Sequence, residues 1–268
     1  MRVGVIGFGR AGRAVASVLL ESKKTNLQWV VRKSSTLEHR SVPEFLGVPS
    51  QEPGLIYAAA EFSAEQLLER FPVDAIIDFS SEEGIEYYGE AAAAQGITII
   101  SAVSNYSDTK QSLLRQLAGR TRLIHSPNMT LGVNFLLIAA KVLKNIAPYS
   151  DIEIVEEHFK QKQDVSGTAK VICKTLELPE NSIKTIRAGG IIGVHEIIFG
   201  FPYQTVRLKH ESICREAFGN GVMFAIENLP EQKKGLFTME DLMLPYFAMS
   251  TDSHGLVIKK KKQWWKFW

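Results

Sequence analysis

Cysteine is scarce in this sequence, and long hydrophobic runs are absent. Only two of the 268 residues are cysteines, Cys173 and Cys214, and they lie far apart without the spacing of metal ligands. This scarcity argues against a disulfide framework or a cysteine-rich metal site, and no metal site is predicted. No apolar stretch is long enough to span a bilayer, and the first residues are typical of a strand rather than of a signal peptide. We therefore expect a protein of the reducing cytoplasm.

A strong charge of either sign is also missing. Lysine and arginine number 31 against 29 acidic residues, which gives a formal net charge of +2. So small an excess argues against nucleic-acid binding by the fold as a whole. The chain has no internal repeat and no low-complexity linker, and its length suffices for two domains with cores of their own.

The first half of the chain alternates between continuous apolar runs and segments with the period of a helix. Strands separated by helices in this way predict a parallel sheet covered on both faces. Strands are predicted at 2–6, 27–31, 75–79, 97–101 and 122–125, and helices at 10–21, 64–70, 83–95 and 109–117. The segment 34–60 shows neither period and is predicted to be an irregular loop.

The pattern changes after residue 126. Consecutive strands with short turns follow a long apolar helix, and they predict an antiparallel or mixed sheet in an α+β domain. Helices are predicted at 131–146, 221–229 and 239–244, and strands at 152–155, 185–188, 193–199 and 204–210. The expected domains are 1–126, joined by a helical C-terminal segment 230–268, and 127–229.

Glycines at the first strand–helix junction match the pattern G-x-G-x-x-G. In this position the first glycine makes a tight turn, the second lets a pyrophosphate approach the backbone, and the third packs helix against strand. The pattern therefore predicts dinucleotide binding. Its candidate residues are Gly7, Phe8, Gly9, Arg10, Ala11 and Gly12.

The end of the second predicted strand bears on the choice of nucleotide. A site for NAD has an acidic residue there that holds the ribose 2′-hydroxyl. This chain has Arg32 and Lys33 instead, followed by two serines, and such groups suit a 2′-phosphate. NADPH is therefore the preferred cofactor, and NADH is the alternative. The alternative explanation of the two basic residues is an ordinary solvated turn that has no role in cofactor binding.

A second candidate site lies in residues 152–169. Here a strand-like run ends in a polar segment that contains His158 and Lys162, and Ser166-Gly167-Thr168 then opens a predicted helix. The free N–H groups and the dipole at a helix N-terminus attract anions. A titratable group, a cation and an anion cradle close together predict a site for a small carboxylate substrate.

With these residues in view, the chain resembles the 4-hydroxy-tetrahydrodipicolinate reductases, also called dihydrodipicolinate reductases, over residues 1 to about 244. The family signature E-x-H-H-x-x-K-x-D-A-P-S-G-T-A appears here as EEHFKQKQDVSGTA at 156–169. The resemblance implies an α/β fold with an N-terminal Rossmann-type domain and a C-terminal α+β domain for substrate binding and oligomerisation. It also implies a homotetramer.

The implied reaction belongs to lysine and diaminopimelate biosynthesis. A nicotinamide transfers hydride to an unsaturated cyclic imine that bears two carboxylates. The resemblance implies that His158 is an acid/base or orienting group, and that Lys162 donates a proton and binds one substrate carboxylate. It implies that the other substrate carboxylate is bound by Ser166, Gly167 and Thr168. The further cofactor-binding residues that it implies are Phe79, Ser80, Ser101, Ala102, Val103 and Ser104.

Three departures from the family pattern leave alternatives open. Phe159 replaces the second signature histidine, the alanine-proline turn is shortened, and Ser101 to Ser104 replace a Gly-Thr-Thr-Gly run. The alternatives are a related reductase for another imine or keto substrate, and an NADPH-binding sensor without turnover. Retention of both His158 and Lys162 argues against a sensor, which needs no proton donor.

Several single residues also have structural interpretations. Packing or solvent exposure is the expected account of His195 and His210, and it is the alternative for His158. Asp78 is a candidate cap of the following helix, and Arg187 is a candidate for either an anion contact or an ion pair. The tail 259–268, KKKKQWWKFW, has the composition of a membrane-surface contact, with disorder or packing on a neighbouring subunit as its alternatives.

Overall fold

The computed structural model describes residues 1–52, 54–230, 233–247, 249–252 and 255–258. The chain divides into two compact units. The first comprises Met1–Met129 and Phe218–Trp268, and the second comprises Thr130–Ala217.

The first unit contains a seven-stranded sheet. Its strands are β1 (Arg2–Ile6), β2 (Asn26–Arg32), β3 (Leu55–Ala58), β4 (Ala75–Asp78), β5 (Thr98–Ser101), β6 (Arg122–His125) and β11 (Gly235–Phe237). Its helices are α1 (Arg10–Glu21), α2 (Val42–Leu46), α3 (Ala64–Arg70), α4 (Gly84–Ala94), α5 (Asp108–Ala118), α8 (Glu216–Asn228) and α9 (Met239–Phe247).

All neighbouring strands of this sheet are parallel, in the order β11-β6-β5-β4-β1-β2-β3. Every residue of β4 and β5 is buried, as expected for central strands covered on both faces. The predicted parallel sheet is confirmed. The strand order reverses direction between β1 and β4, and in open α/β sheets ligands bind at the carboxyl ends of the strands beside such a switch point.

The core of the first unit depends on close packing at β1 and β2. Trp29 is fully buried, and its ring occupies the space that a side chain at Gly4 would need. Its indole Nε1 donates to the carbonyl of Phe71 at 2.9 Å, which satisfies the buried N–H. The same core cluster takes buried residues from α3, α4 and α5.

The segment 34–60, predicted to be an irregular loop, contains α2 and β3. Helix α2 has five residues, too few to show a helical period, and Ser41 caps it by accepting from the N–H of Glu44. Strand β3 pairs with β2 at the edge of the sheet. Its four residues give too short a pattern to recognise without that partner.

The second unit places helices against a four-stranded sheet. Its elements are α6 (Leu131–Ile146), β7 (Asp151–His158), α7 (Gly167–Thr175), a 3₁₀ turn (Glu180–Ser182), β8 (Ile183–Arg187), β9 (Val194–Phe201) and β10 (Gln204–Glu211). The sheet order is β10-β9-β7-β8. Strands β7 and β8 are parallel, whereas β9 is antiparallel to both β7 and β10, so the prediction of a mixed sheet is confirmed.

The boundary at the end of the second unit differs from the expected residue 229. Helix α8 clusters with the first unit from Phe218 onward. Its small residues explain this, because a side chain at Gly219 would collide with Val18 of α1, and one at Gly221 with the backbone of Met129. The Phe218 ring also lies 6.2 Å from that of Phe79. Such contacts between distant segments do not show in a local hydrophobic pattern.

The C-terminal segment 230–268 is less helical than predicted. Strand β11 pairs with β6 and extends the sheet, and α9 ends at Phe247. Two antiparallel strands follow, β12 (Met249–Asp252) and β13 (Gly255–Ile258), where threonine, valine and isoleucine favour extended backbone. The lysine- and tryptophan-rich tail 259–268 lies outside the described residues. Among the helices of the described residues, none is both long and apolar enough to cross a bilayer.

Candidate active site

The glycine-rich loop joins β1 to α1 and has the backbone geometry that its sequence predicts. Gly7 adopts φ +91°, and its N–H donates to the carbonyl of Val31 at 2.8 Å. A Cβ at Gly7 would lie 2.6 Å from the carbonyl oxygen of Phe79, and one at Gly12 would overlap the carbonyl oxygen of Gly7. The first and third glycines are therefore required by close packing.

Gly9 has a different role from the other two glycines. It is exposed, caps α1 with extended backbone, and has no atom within 4 Å of the place where a Cβ would stand. No side chain caps the helix, and the first turn, which begins with Arg10 and Ala11, contains no acidic residue. An anion can thus approach the N–H groups of this turn closely. Phe8, between the two glycines, is buried.

Basic side chains stand at the end of β2 and on the segment that follows it. Arg32 is half-buried and donates to the carbonyl of Thr36 at 3.2 Å, while Lys33 is exposed. Two further cations, which no motif indicates, lie near Phe45 of α2. The guanidinium groups of Arg13 and Arg40 lie 5.0 and 5.5 Å from the centre of the Phe45 ring. Arg13 directly follows the third motif glycine, a position that could have drawn attention to it.

Asp78 shapes the turn after β4. Its Oδ1 accepts from the backbone N–H and hydroxyl of Ser80 at 2.8 and 2.6 Å, and its Oδ2 accepts from the Tyr88 hydroxyl at 2.9 Å. Complete burial raises the pKa of the Asp78 carboxyl despite these bonds. The helix-cap interpretation of Asp78 is wrong, because α4 begins at Gly84 without a side-chain cap. Phe79 and Ser80 follow at the same edge of the sheet.

The segment Ser101 to Ser104 follows β5, the neighbour of β4. Ser101 is buried, and its hydroxyl is 2.8 Å from the Tyr106 hydroxyl. The N–H of Ala102 donates to the carbonyl of Asp78 at 2.9 Å, and the carbonyl of Val103 is 3.0 Å from Nε2 of His125. Strands β1, β4 and β5 are adjacent, so all these loops lie at the carboxyl edge of one sheet.

In the second unit, a buried carboxylate joins two candidate site residues. Glu156 and His158 are two residues apart on β7, so their side chains lie on the same side of the strand. The Glu156 carboxylate is fully buried; its Oε2 is hydrogen-bonded to Nδ1 of His158, and its Oε1 accepts from Nη2 of Arg187 at 2.6 Å. Arg187 lies opposite His158 in the register of β7 and β8.

The charge of Glu156 follows from these partners. Burial alone would raise the pKa of its carboxyl, but hydrogen bonds from Arg187 and His158 outweigh burial and lower the pKa. An ionised carboxylate only accepts, so Nδ1 of His158 carries a hydrogen and donates. Nε2 is then the ring nitrogen left for other partners. It faces Gly193, where a Cβ would lie 3.1 Å away.

Arg187 also fixes the loop that carries Lys162. Its Nε donates to the carbonyl of Lys162 at 2.9 Å, and its Nη2 donates to the carbonyl of Asp164 at 3.0 Å. The structural ion pair proposed for Arg187 is thus present. The Lys162 side chain is half-buried, and within the described residues no carboxylate pairs with it. Phe159 is 39% exposed, so its ring does not belong to the core.

Ser166 begins α7 and is engaged within the protein. Its hydroxyl accepts from the N–H of Ala169 at 3.0 Å and lies 2.7 Å from Nε2 of His195. Gly167 has open space around the position of a Cβ, and the first turn of α7 has no acidic residue. The start of α7 thus leaves room for a carboxylate beside Gly167, whereas the Ser166 hydroxyl is already engaged within the protein.

His195 contacts both parts of this cluster. It is 4% exposed, and its ring centre lies 5.4 Å from that of His158. Burial first, and then the positive charge that His158 can carry, lower the pKa of His195 to about 4, so its imidazole is neutral at pH 7. The sequence predicts packing or solvent exposure for His195, whereas the structure places it between Ser166 and His158.

A Rossmann-type sheet with a glycine-rich anion loop, together with an acid/base cluster on a second unit, defines the class of NAD(P)H-dependent oxidoreductases. Two family descriptions match the chain: "Dihydrodipicolinate reductase, N-terminus" over residues 1–129, and "Dihydrodipicolinate reductase, C-terminus" over residues 129–243. The chain belongs to the dihydrodipicolinate reductase family.

Individual relatives agree with this assignment. The 4-hydroxy-tetrahydrodipicolinate reductase of Caldanaerobacter subterraneus subsp. tengcongensis is 33% identical over 192 residues, which are 63% of this chain and 76% of the relative. The reductase of the same name from Buchnera aphidicola subsp. Schizaphis graminum is 26% identical over 273 residues, which are 92% of this chain and 98% of the relative.

Solved structures share the fold. A dipicolinate-bound dihydrodipicolinate reductase from Paenisporosarcina sp. TG-14 superposes with a TM-score of 0.72 at 21% identity, over 89% of this chain and 97% of the other. An amine dehydrogenase from Mycobacterium smegmatis gives a TM-score of 0.63 at 12% identity, over 90% of this chain and 95% of the other. At these identities the likeness concerns the fold alone.

Proposed function

We propose that this protein reduces 4-hydroxy-tetrahydrodipicolinate to tetrahydrodipicolinate with NAD(P)H, in the biosynthesis of lysine and diaminopimelate. The observation that carries the proposal is the family match across both units, from residue 1 to 243. The acid/base cluster in the second unit supports it, since that cluster holds the signature residues His158, Lys162 and Ser166.

The first unit binds the dinucleotide. The N–H groups at the start of α1 receive the pyrophosphate, because Gly9 leaves open space and no acidic residue competes there. The nicotinamide supplies hydride when it is bound. The turns after β4 and β5 border the same edge of the sheet; they contribute Phe79 and Ser80, and Ser101 to Ser104.

NADPH is the preferred cofactor in this proposal. Arg32 is the last residue of β2 and Lys33 follows it, and no acidic residue stands between positions 32 and 37. A 2′-phosphate gains charge-assisted hydrogen bonds from such groups, whereas a bare ribose gains little. Replacing both residues by serine is expected to lower the ratio of kcat/KM for NADPH to that for NADH by about tenfold or more. An unchanged ratio would remove the preference.

The second unit holds the substrate and provides a proton. The N–H groups of Gly167 and Thr168 receive one carboxylate, and Lys162 receives the other. The 4-hydroxyl of the substrate leaves as water, which gives the unsaturated imine that accepts the hydride. Lys162 then protonates the carbon or nitrogen that becomes electron-rich, while Nε2 of His158 orients the substrate or shares the proton. The Ser166 hydroxyl acts through α7 by capping its first turn.

Turnover in a coupled assay tests the function. An aldol-condensing synthase generates the unstable substrate in place, and loss of NADPH absorbance is followed. Lys162→Ala should lower kcat by on the order of 100-fold or more, because a positioned proton donor contributes about 10²- to 10⁴-fold. Lys160→Ala is the matched control, an exposed lysine of the same loop, and should leave kcat near that of the parent protein.

The same assay separates the alternatives. Tight NADPH binding without turnover would overturn the proposal in favour of a nucleotide sensor. Turnover of another cyclic imine or keto acid, with none of this substrate, would point to a retuned reductase, for which Phe159 in place of histidine would be the first residue to examine.

Assembly and location are further parts of the proposal. A homotetramer is supported by the family resemblance and by β10, whose outer edge is unpaired within the described chain. Light scattering coupled to gel filtration measures the mass directly, and a monomer would contradict this part. A reducing cytoplasm fits the two free cysteines, Cys173 and Cys214.

A further inference from the structure

We propose that Glu156 and Arg187 form a positioning pair, which sets the tautomer of His158 and anchors the loop that carries Lys162. The inference rests on the proposed function, in which His158 and Lys162 handle the substrate. Neither Glu156 nor Arg187 needs to touch the substrate in this role, because each acts through hydrogen bonds to another residue.

Glu156 determines which ring nitrogen of His158 carries the hydrogen. Nδ1 of His158 is hydrogen-bonded to Oε2 of Glu156, a fully buried carboxylate. A carboxylate offers only lone pairs, so it selects the imidazole form with the hydrogen on Nδ1. Nε2 is left without that hydrogen in the neutral ring and faces the small residue Gly193. Glu156 therefore decides which nitrogen can exchange a proton or accept a hydrogen bond.

Arg187 anchors the backbone around Lys162. The guanidinium of Arg187 makes four hydrogen bonds within the protein: to Oε1 of Glu156 at 2.6 Å and to the carbonyls of Lys162, Asp164 and Ile186 at 2.9, 3.0 and 2.8 Å. In addition, the N–H of Lys162 donates to the carbonyl of Phe159 at 3.1 Å, which closes the turn. The backbone of Lys162 is thus held at both its N–H and its carbonyl.

The fixed shape of arginine matters here. Its planar fork presents donors in several directions at once, whereas lysine offers a single ammonium group. Because the carbonyls of Lys162 and Asp164 are contacted by different nitrogens, a lysine at 187 would lose at least one of these bonds. With its donors directed at protein oxygens, Arg187 is a positioning residue rather than an anion ligand.

Mere structural stabilisation would not require this arrangement. A buried ion pair is often replaceable by apolar side chains of similar size with no loss of stability. What apolar residues cannot supply is an acceptor for Nδ1 and donors for the loop carbonyls. The proposal therefore predicts an effect on catalysis and on the tautomer that is separable from an effect on folding.

Glu156→Gln tests the first part. The glutamine can keep its carbonyl oxygen on Arg187 and turn its NH₂ group toward Nδ1, so His158 should move its hydrogen to Nε2. Long-range ¹⁵N NMR of protein labelled at histidine reports the tautomer, and the His158→Asn spectrum assigns the signal. We expect kcat to fall by about 10- to 100-fold, with little change in the dissociation constant of NADPH.

Glu157→Gln is the matched control. Glu157 is the neighbour of Glu156 on β7, faces the other side of the strand and is half-buried. This variant should keep the tautomer and kcat of the parent protein. Equal kcat in the two glutamine variants, or an unchanged His158 tautomer in Glu156→Gln, overturns the role of Glu156.

Arg187→Lys tests the second part. It retains a positive charge beside Glu156, so His158 should keep its hydrogen on Nδ1 while kcat falls. Parental kcat in this variant overturns the anchoring of Lys162. Should Glu156→Gln fail to fold, the tautomer of the parent protein still decides, because a hydrogen on Nε2 in neutral His158 contradicts the proposal. Absence of turnover in the parent protein overturns the proposed function instead, and the NMR readout does not depend on it.

Discussion

Protonation of His195 is expected to make the second unit acid-sensitive. The imidazole is 4% exposed, its Nε2 lies 2.7 Å from the Ser166 hydroxyl, and its Nδ1 is a buried nitrogen without a hydrogen-bond partner in the described structure. Burial and the nearby ring of His158 lower its pKa from 6.5 to about 4, and His210 acts in the same direction, while Glu156 opposes them. In the unfolded chain the pKa of His195 returns to its ordinary value of 6.5.

The sign of the effect follows from proton binding. Between pH 6.5 and about 4 the unfolded chain binds a proton at His195 and the folded chain does not, so acid favours unfolding. The contribution of the neutral folded imidazole is complete above pH 6.5 and is lost as the pH falls toward 4. One pKa unit corresponds to about 1.4 kcal/mol, so the lowering predicts a loss of roughly 3 kcal/mol in the free energy of unfolding.

His195→Gln isolates this contribution. Glutamine does not titrate, yet it can still reach the Ser166 hydroxyl. Hydrogen exchange followed by mass spectrometry, on peptides from 151 to 211, reports the stability of the second unit apart from the first. Comparing the two proteins at the same pH cancels the intrinsic exchange rate and the titration of the other histidines, including His125 and His210, whose pKa values are also lowered by burial.

The expected result is a difference that changes with pH. Relative to the glutamine variant, the parent protein should lose roughly 3 kcal/mol of opening free energy between pH 7 and pH 4. An NMR titration of the His195 ring should place its pKa near 4 directly. A parallel decline of both proteins, or a His195 pKa near 6.5, would refute the reasoning.

Two further substitutions probe the close packing of glycines. Gly12→Ala should lower the free energy of unfolding by about 2 kcal/mol, because its Cβ would overlap the carbonyl oxygen of Gly7. Gly9→Ala should change the free energy of unfolding by less than about 0.5 kcal/mol and should instead weaken NADPH binding. Thermal denaturation and fluorescence titration measure the two effects, and a larger stability loss in Gly9→Ala would contradict this account. Gly193→Ala places a Cβ 3.1 Å from Nε2 of His158 and should lower kcat several-fold in the coupled assay with folding retained; parental kcat would mean that the His158 ring gives way without consequence.

Local patterns in the sequence determined much of the architecture. Helix α6 was predicted with the bounds that the structure shows, because sixteen residues of amphipathic period leave little ambiguity. The glycine loop was recognised because each glycine meets a steric need within a few residues of chain. His158, Lys162 and the Ser-Gly-Thr run were selected as candidates because they too stand close together in sequence, and their roles in catalysis stay predictions.

Tertiary pairing decided what the local pattern leaves open. Strands β3 and β11 are too short to recognise alone and exist as edge strands beside β2 and β6. Helix α8 belongs to the first unit because its glycines allow close packing against α1 and the backbone of Met129. Neither contact has a signal in the neighbouring sequence.

The candidate site divides along the same line. The sequence by itself determined the candidate residues of 156–169, since a histidine, a lysine and a Ser-Gly-Thr run stand together in this one short segment. Tertiary structure decided that Arg187 lies opposite His158 and that the buried carboxylate of Glu156 joins these two residues. It also decided that His195 reaches Ser166. These partners stand about thirty residues apart in the chain, and only the register of β7 with β8 and β9 brings them within hydrogen-bond distance.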